Sequence, residues 1–327
     1  MENKTFQLIN HDKSFLEKEV PEFFKKEASI LTRHWNSVLF FVEGESVPYY
    51  YMRSCTGDTM RSGNIIRLGD EPFKPQTALP KYHKMMVQKA EAPYHKISDE
   101  PLIYIQEKDN ACLTYSENSM HWVDGPLDLN VTFFPKACIF HQDSVYRMCM
   151  YHQDVIVEGF FDGKKIIGGG IYDRSYGRDM DESTEGEFHL DANLTAIRED
   201  GKKEYCYIVI HQNGKGAGYY CVEDEICITF DDVAMTADWE PLPYCPDTYS
   251  FKKAIFTGKD IMIHYTGKWG TKGHTQHPRV EMVGFGHMYG DFYLEGTPYT
   301  HQMLCSEIEV WNGTKEFLQK AGFTSIS

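Results

Sequence analysis

Apolar residues recur along most of the chain in short alternating or near-continuous runs, the spacing of β-strands. Such runs are residues 37–42 (SVLFFV), Leu102–Gln106, 127–134 (LDLNVTFF), 155–161 (VIVEGFF), 205–211, 226–230, 261–265, 279–285 and 303–311. Hairpin-type dipeptides separate them: Asp124-Gly125, Asp162-Gly163, Asp200-Gly201, Asn213-Gly214 and Asn312-Gly313, residue pairs that tolerate the positive φ of a tight turn. Helical spacing is confined to the two ends. Residues 14–26 (SFLEKEVPEFFKK) predict one or two short helices interrupted at Pro21, and residues 314–321 (TKEFLQKA) predict another, stopped by Gly322. Many short strands with few helices imply antiparallel sandwiches or closed barrels.

A weak internal echo divides the chain. A strand, a glycine cluster and an aromatic-Gly pair end both 166–177 (IIGGGIYDRSYG) and 280–290 (VEMVGFGHMYG), as two similar β units in tandem would. The acidic stretch 178–187 (RDMDESTEGE) between them has the composition of a linker. The expected units are therefore 1–180, with an N-terminal helical segment, and 181–327, with a short C-terminal helix. The Pro- and Gly-rich residues 63–81 form a loop suited to overhang a pocket.

Composition narrows the function classes. The 327 residues carry a formal charge of −15, which argues against a nucleic-acid partner, since phosphate binding needs a basic face, and against docking on anionic lipid. No run approaches the roughly 20 apolar residues of a membrane span, and the polar N-terminus has no signal-peptide core. Nine scattered cysteines without a CxxC pair read as free thiols in a reducing cytoplasm. The 21 Tyr and 20 Phe suit half-buried strands and the walls of apolar pockets.

Motifs for the commoner chemistries are absent. Gly168-Gly169-Gly170 follow a strand, but IYDRSYG comes next instead of a helix. Without a helix N-terminus the basis for cradling a phosphate is missing, and close backbone approach explains the glycines better. Fourteen histidines include no H-E-x-x-H and no zinc spacing. His141 and Asp143 share a face if they lie on a strand, a geometry equally suited to a carboxylate-oriented His and to two solvent-facing polar residues. No G-x-S-x-G elbow occurs. What remains is 155–178, where Asp173, Arg174, Tyr176 and Arg178 cluster at the end of a hairpin. In an extended strand Asp173 faces away from Arg174, Tyr176 and Arg178. A carboxylate entering an apolar interior must pair with a cation or become a protonated acid suited to general-acid catalysis. A purely structural Arg–Asp pair is the competing reading.

The same segment resembles the signature of the tandem lipocalin-like superfamily that includes carotenoid 1,2-hydratases and AttH-type proteins. The matching residues are Val157, Gly159, Asp162, Gly163, Gly168, Gly170, Asp173, Arg174, Ser175, Tyr176, Gly177 and, one place early, Arg178; Tyr176 stands where the pattern has Trp. Gly284 to Gly290 (GFGHMYG) resembles the end of the second domain. The resemblance implies a mainly β fold of two tandem lipocalin-like antiparallel barrels with short terminal helices and a hydrophobic small-molecule substrate. It also implies cofactor-independent chemistry. Hydration or dehydration of an isoprenoid-like molecule leads; isomerisation or cyclisation, including pericyclic cyclisation, and non-catalytic carriage of an apolar ligand are the alternatives. On this reading Asp173 is the acid or its organiser, Tyr176, Arg178, His141 and Asp143 are further polar groups, and Trp122, His287 and Tyr289 contact substrate.

Overall fold

In the computed structural model, residues 3–13, 31–56, 59–62, 65–69, 92–93, 95–106, 111–143, 148–177, 188–223, 225–242, 245–274, 285–296 and 300–327 are described. They are almost wholly antiparallel strand, with a short C-terminal helix. The chain divides into two compact units, Met1–Arg67 with Thr77–Ser183, and Leu68–Gln76 with Thr184–Ser327. No helix among the described residues is long and apolar enough to cross a membrane.

The first unit is a 14-stranded sheet. At its centre Tyr49–Thr56, Leu31–Val42, Lys164–Gly177 and Met148–Phe161 lie side by side. The sheet curls on itself. Tyr51 and Trp122 stand on strands well separated along the pairing order, yet their ring centroids are 5.5 Å apart. The enclosed face carries the core, including Val38, Phe40, Leu129, Val131, Val155 and Val157. Leu127–Phe133 alternates buried and exposed at every position, the period of a strand with one wet face. Residues 150–157, in contrast, are buried without interruption, so that strand is covered on both faces.

The Asp162-Gly163 turn has φ of 51° and 80°, matching the hairpin expectation. Beyond it the glycine triplet is part of one unbroken strand, Lys164–Gly177. A Cβ at Gly168 would meet the Leu39 carbonyl oxygen at 2.2 Å, and one at Gly170 the Ser37 oxygen at 2.0 Å. These glycines allow a neighbouring backbone to pass.

The second unit is a closed eight-stranded barrel: His189–Arg198, Lys203–Ile210, Lys215–Val222, Ile226–Ala237, Lys253–Thr257, Met262–His274, Phe285–Leu294 and His301–Trp311, the last pairing back to the first. Successive strands are neighbours, an up-and-down arrangement without an edge strand. Leu190, Leu194, Ile208, Ile308 and Val310 fill its interior at 0–1% exposure, each worth about 1.5–3 kcal/mol of burial.

The helix Lys315–Lys320 packs Leu318 into this core and ends where expected. Gly322 has φ 91°, and the Phe323 and Gly322 amides donate to the Leu318 and Gln319 carbonyls, a helix-ending pattern that glycine favours. Asn312-Gly313 forms no hairpin; it leads into this helix behind Trp311.

Residues 14–26 and the linker 178–187 lie outside the described residues, as do 279–284 and most of the 63–81 loop. The cysteine expectation needs correction. Cys221 and Cys227 are disulfide-bonded, whereas Cys112, Cys138, Cys206 and Cys305 are free. Cys221 and Cys227 face each other across a tight hairpin, which brings their side chains into bonding range without a CxxC motif. The inference from free thiols to a reducing compartment thereby loses its premise.

Candidate active site

The strand Met148–Phe161 changes partner along one side. Its first half pairs with Lys136–Asp143 and its second half with Leu127–Phe133. At the fork the Phe134 amide donates to the Asp154 carbonyl, and the Gln153 amide side chain donates to the Phe134 carbonyl. Tyr151, Val155 and Val157 join the enclosed core, so His152, Asp154 and Ile156 take the opposite face.

Register assembles that face row by row. His152 sits between Cys138 and Asp173, Asp154 beside Ile171 and Ser37, and Ile156 beside Gly169 and Leu39. Leu39, Ile156 and Ile171 are 4–7% exposed, while Gly169 contributes no side chain between Leu39 and Ile156. The result is an apolar field with a charged cluster at one edge.

His152 Nδ1 lies 2.6 Å from Asp173 Oδ1, and its Nε2 lies 3.8 Å from Asp154 Oδ1. The His152 and Asp154 side chains are 1% and 0% exposed, whereas Asp173 keeps 14%. Burial, the largest influence, pulls the imidazole pKa down. The charge of Asp173 and the hydrogen bonding and charge of both carboxylates reverse this, raising it from 6.5 to about 10. Both carboxyl groups thus favour the protonated form of the ring that lies between them. Asp173 is the member of the pair with an exposed surface.

Asp173 lies beside His152 on the outer face, while Arg174, next in the strand, turns to the enclosed side and is fully buried. Trp122 is also on that enclosed face, in the core, and is not brought to Asp173. Tyr176 pairs in register with Cys149 and Thr32; His141 pairs with Cys149 and Thr5, and Asp143 with Asn3. The side chains of these three lie outside the description, as does all of Arg178. Tyr289 is buried in the second unit, registered with Trp269 and Glu307, and His287 with Lys272 and Glu309. His152 is the residue that sequence reasoning missed. Its signal was present: the tripeptide His-Gln-Asp occurs at 141–143 and again at 152–154.

Each unit also buries a carboxylate with an arginine and a tyrosine. In the first, Tyr51 and Arg53 both donate to Asp124. In the barrel, Arg198 Nε and His301 Nε2 reach Glu204 Oε2 at 3.3 and 2.7 Å, and Tyr220 donates to Oε1. Burial opposes ionisation of Glu204 most strongly. Hydrogen bonds from His301 and Tyr220 and the charges of His301 and Arg198 overcome it, holding its pKa below the usual 4.5. Its contribution to stability is accordingly present above pH 4.5 and lost as pH falls through the lower folded value. A carboxylate with three donors is a strut more than a reactive group. Tyr220→Phe is expected to cost about 1–3 kcal/mol, measured as a lower Tm, since one carboxylate oxygen loses its donor.

The fold and site together describe a two-unit antiparallel β protein with a buried histidine–carboxyl centre. No protein-family model matches the sequence, and no curated protein matches it. Among solved structures it is similar to a protein assigned as AttH from Nitrosomonas europaea, at 10% identity and a TM-score of 0.46, covering 91% of this chain and 98% of that one. It is also similar to kievitone hydratase from Nectria haematococca, at 9% identity and a TM-score of 0.41, covering 86% and 89%.

Proposed function

We propose that this chain is a cofactor-independent acid–base enzyme that adds or removes water on a hydrophobic, isoprenoid-like molecule, with His152 and Asp173 as its proton-transfer pair. The observation that carries this reading is the fully buried His152 ring at 2.6 Å from the carboxyl group of Asp173, which remains partly exposed. His152 stores the proton and Asp173 delivers it. In dehydration the proton passes from His152 through Asp173 to the substrate hydroxyl, the C–O bond breaks, and water leaves. A neighbouring carbon then gives up a proton to the carboxylate, forming the alkene and restoring the pair. Hydration runs the same steps in reverse. The apolar field of Leu39, Ile156 and Ile171 would hold the hydrocarbon, and exclusion of water strengthens the charge interactions beside it. The isoprenoid class rests on the resemblance at 157–178.

The test is incubation with acyclic isoprenoid alkenes and tertiary alcohols, farnesol and linalool among them, in deuterated, heavy-oxygen water. Hydration places one carbon-bound deuteron and one heavy oxygen in the product. A ligand that binds stoichiometrically and is recovered unlabelled and unchanged identifies a carrier and ends the enzymatic reading.

A further inference from the structure

The barrel of the second unit closes unevenly. Its strand Ile226–Ala237 pairs with Lys215–Val222 on one side from Ile226 to Ala234. On the other side Lys253–Thr257 reaches only Ala234 to Ala237. Among the described residues no strand pairs with that side over 226–232. Exposure agrees: Cys227, Thr229, Asp231 and Asp232 are exposed, and Ile226 keeps 43% of its surface in solvent. Ile228 and Phe230 share a face with Ile226 by alternation and are partly buried against the barrel core.

Register shows which main-chain groups face this free side. Cys221 and Cys227 lie directly opposite each other with Cα atoms 4.0 Å apart, the close spacing of an antiparallel pair that exchanges no main-chain hydrogen bonds. The N–H and C=O of Cys227 therefore point away from Lys215–Val222, and by alternation so do those of Thr229. Such outward groups along a β-branched and aromatic run are a template for an added strand. Charge brackets the run. Residues 223–232 (EDEICITFDD) include five acidic side chains and no basic one. Lysines reach Glu223, Glu225 and Asp232, whereas Asp231 has no ion partner among the described residues.

From this we infer that the free edge at 226–230 is a strand-addition site for an extended segment of another protein, with apolar β-branched residues at alternate positions and lysine or arginine at both ends. The segment's main chain bonds to Cys227 and Thr229. Its apolar side chains extend the row of Ile226, Ile228 and Phe230, and its basic ends meet the acids that bracket the run. A second copy of this chain fits poorly. Antiparallel pairing of the edge with itself about Ile228 would set Glu225 against Asp231, and like charges directly opposite are destabilising. The acids thus oppose self-pairing while favouring a basic partner. This surface belongs to the second unit and does not depend on the acid–base reading.

The test reads amide hydrogen exchange by NMR on the full, disulfide-bonded chain. The probe is the peptide acetyl-Lys-Lys-Val-Thr-Val-Thr-Val-Lys-Lys-amide. Two controls accompany it, one with glutamates for the lysines and one N-methylated at alternate residues so that its main chain cannot pair. In the free chain the Cys227 and Thr229 amides should exchange fast, and the Ile228 amide, turned toward Tyr220, slowly. The probe should slow Cys227 and Thr229 saturably by at least about tenfold, and both controls should leave them fast. Thr229→Pro removes an outward N–H at a place where an edge strand tolerates proline; it should abolish binding of the probe without lowering Tm. Three results on the wild-type chain would overturn the inference. Slow exchange of Cys227 and Thr229 in the free monomer would mean that the chain covers its own edge. Protection that grows with protein concentration alone would make the occupant a second copy. A probe that leaves both amides fast, or an N-methylated control that binds equally well, would mean that no strand is added.

Discussion

Replacing Asp173 by Asn is expected to lower turnover about 10²- to 10⁴-fold with little change in KM or in the fold. Asn matches Asp in shape and still offers an oxygen to His152, which keeps Asp154 on its other side at 3.8 Å. What the amide cannot do is accept the imidazolium proton and pass it on. Ligand binding, set by the apolar face, should persist, so the loss belongs in kcat. The pH profile separates this role from a structural one. With the Asp173 charge gone, His152 loses the leading influence that raises its pKa to about 10, so the ring should titrate at lower pH by NMR and the basic limb of the profile should move with it. Turnover within a few-fold of wild type would remove Asp173 from the mechanism, whatever happens to the histidine.

Much of the fold was legible because it is written in local patterns. The apolar run in 127–134 announced a strand, and Asp162-Gly163 announced the turn that leads into Lys164–Gly177. The glycine triplet was legible as close backbone approach because no helix followed it. Asp173 was visible as a carboxylate in an apolar setting. Its partner was not, since His152 reaches it only through the pairing register of two long strands. The second His-Gln-Asp looks no different from the first until residues 150–157 are seen to be buried on both faces. The same limit hid the Arg53–Asp124 pair, 71 positions apart, and the Glu204–His301 pair, 97 apart. Cys221 and Cys227 were misread for a related reason. Their spacing carries no motif, and only the tightness of the hairpin between them makes them neighbours. Local chemistry is readable along the chain, whereas partners are assigned by strand order.

His152→Leu is expected to destabilise the first unit by about 3–5 kcal/mol at neutral pH, because it leaves two carboxylates in a buried site with no cation between them. The wild-type pH dependence follows from the raised pKa. Its contribution is complete below the free value of 6.5 and is lost as pH rises through about 10. A shift of that size corresponds to on the order of 5 kcal/mol, so the wild-type Tm should fall steadily between those limits. The variant should lack this alkaline loss and instead gain stability on acidification, as the stranded carboxylates take up protons. Adding Asp154→Leu should recover most of the deficit, since apolar residues often replace a buried ion cluster at little net cost. Tm measured across pH for wild type, His152→Leu and the double variant decides the matter. A His152→Leu protein with the wild-type melting curve throughout would mean that no buried imidazolium exists, and the proton store on which the proposed chemistry depends would go with it.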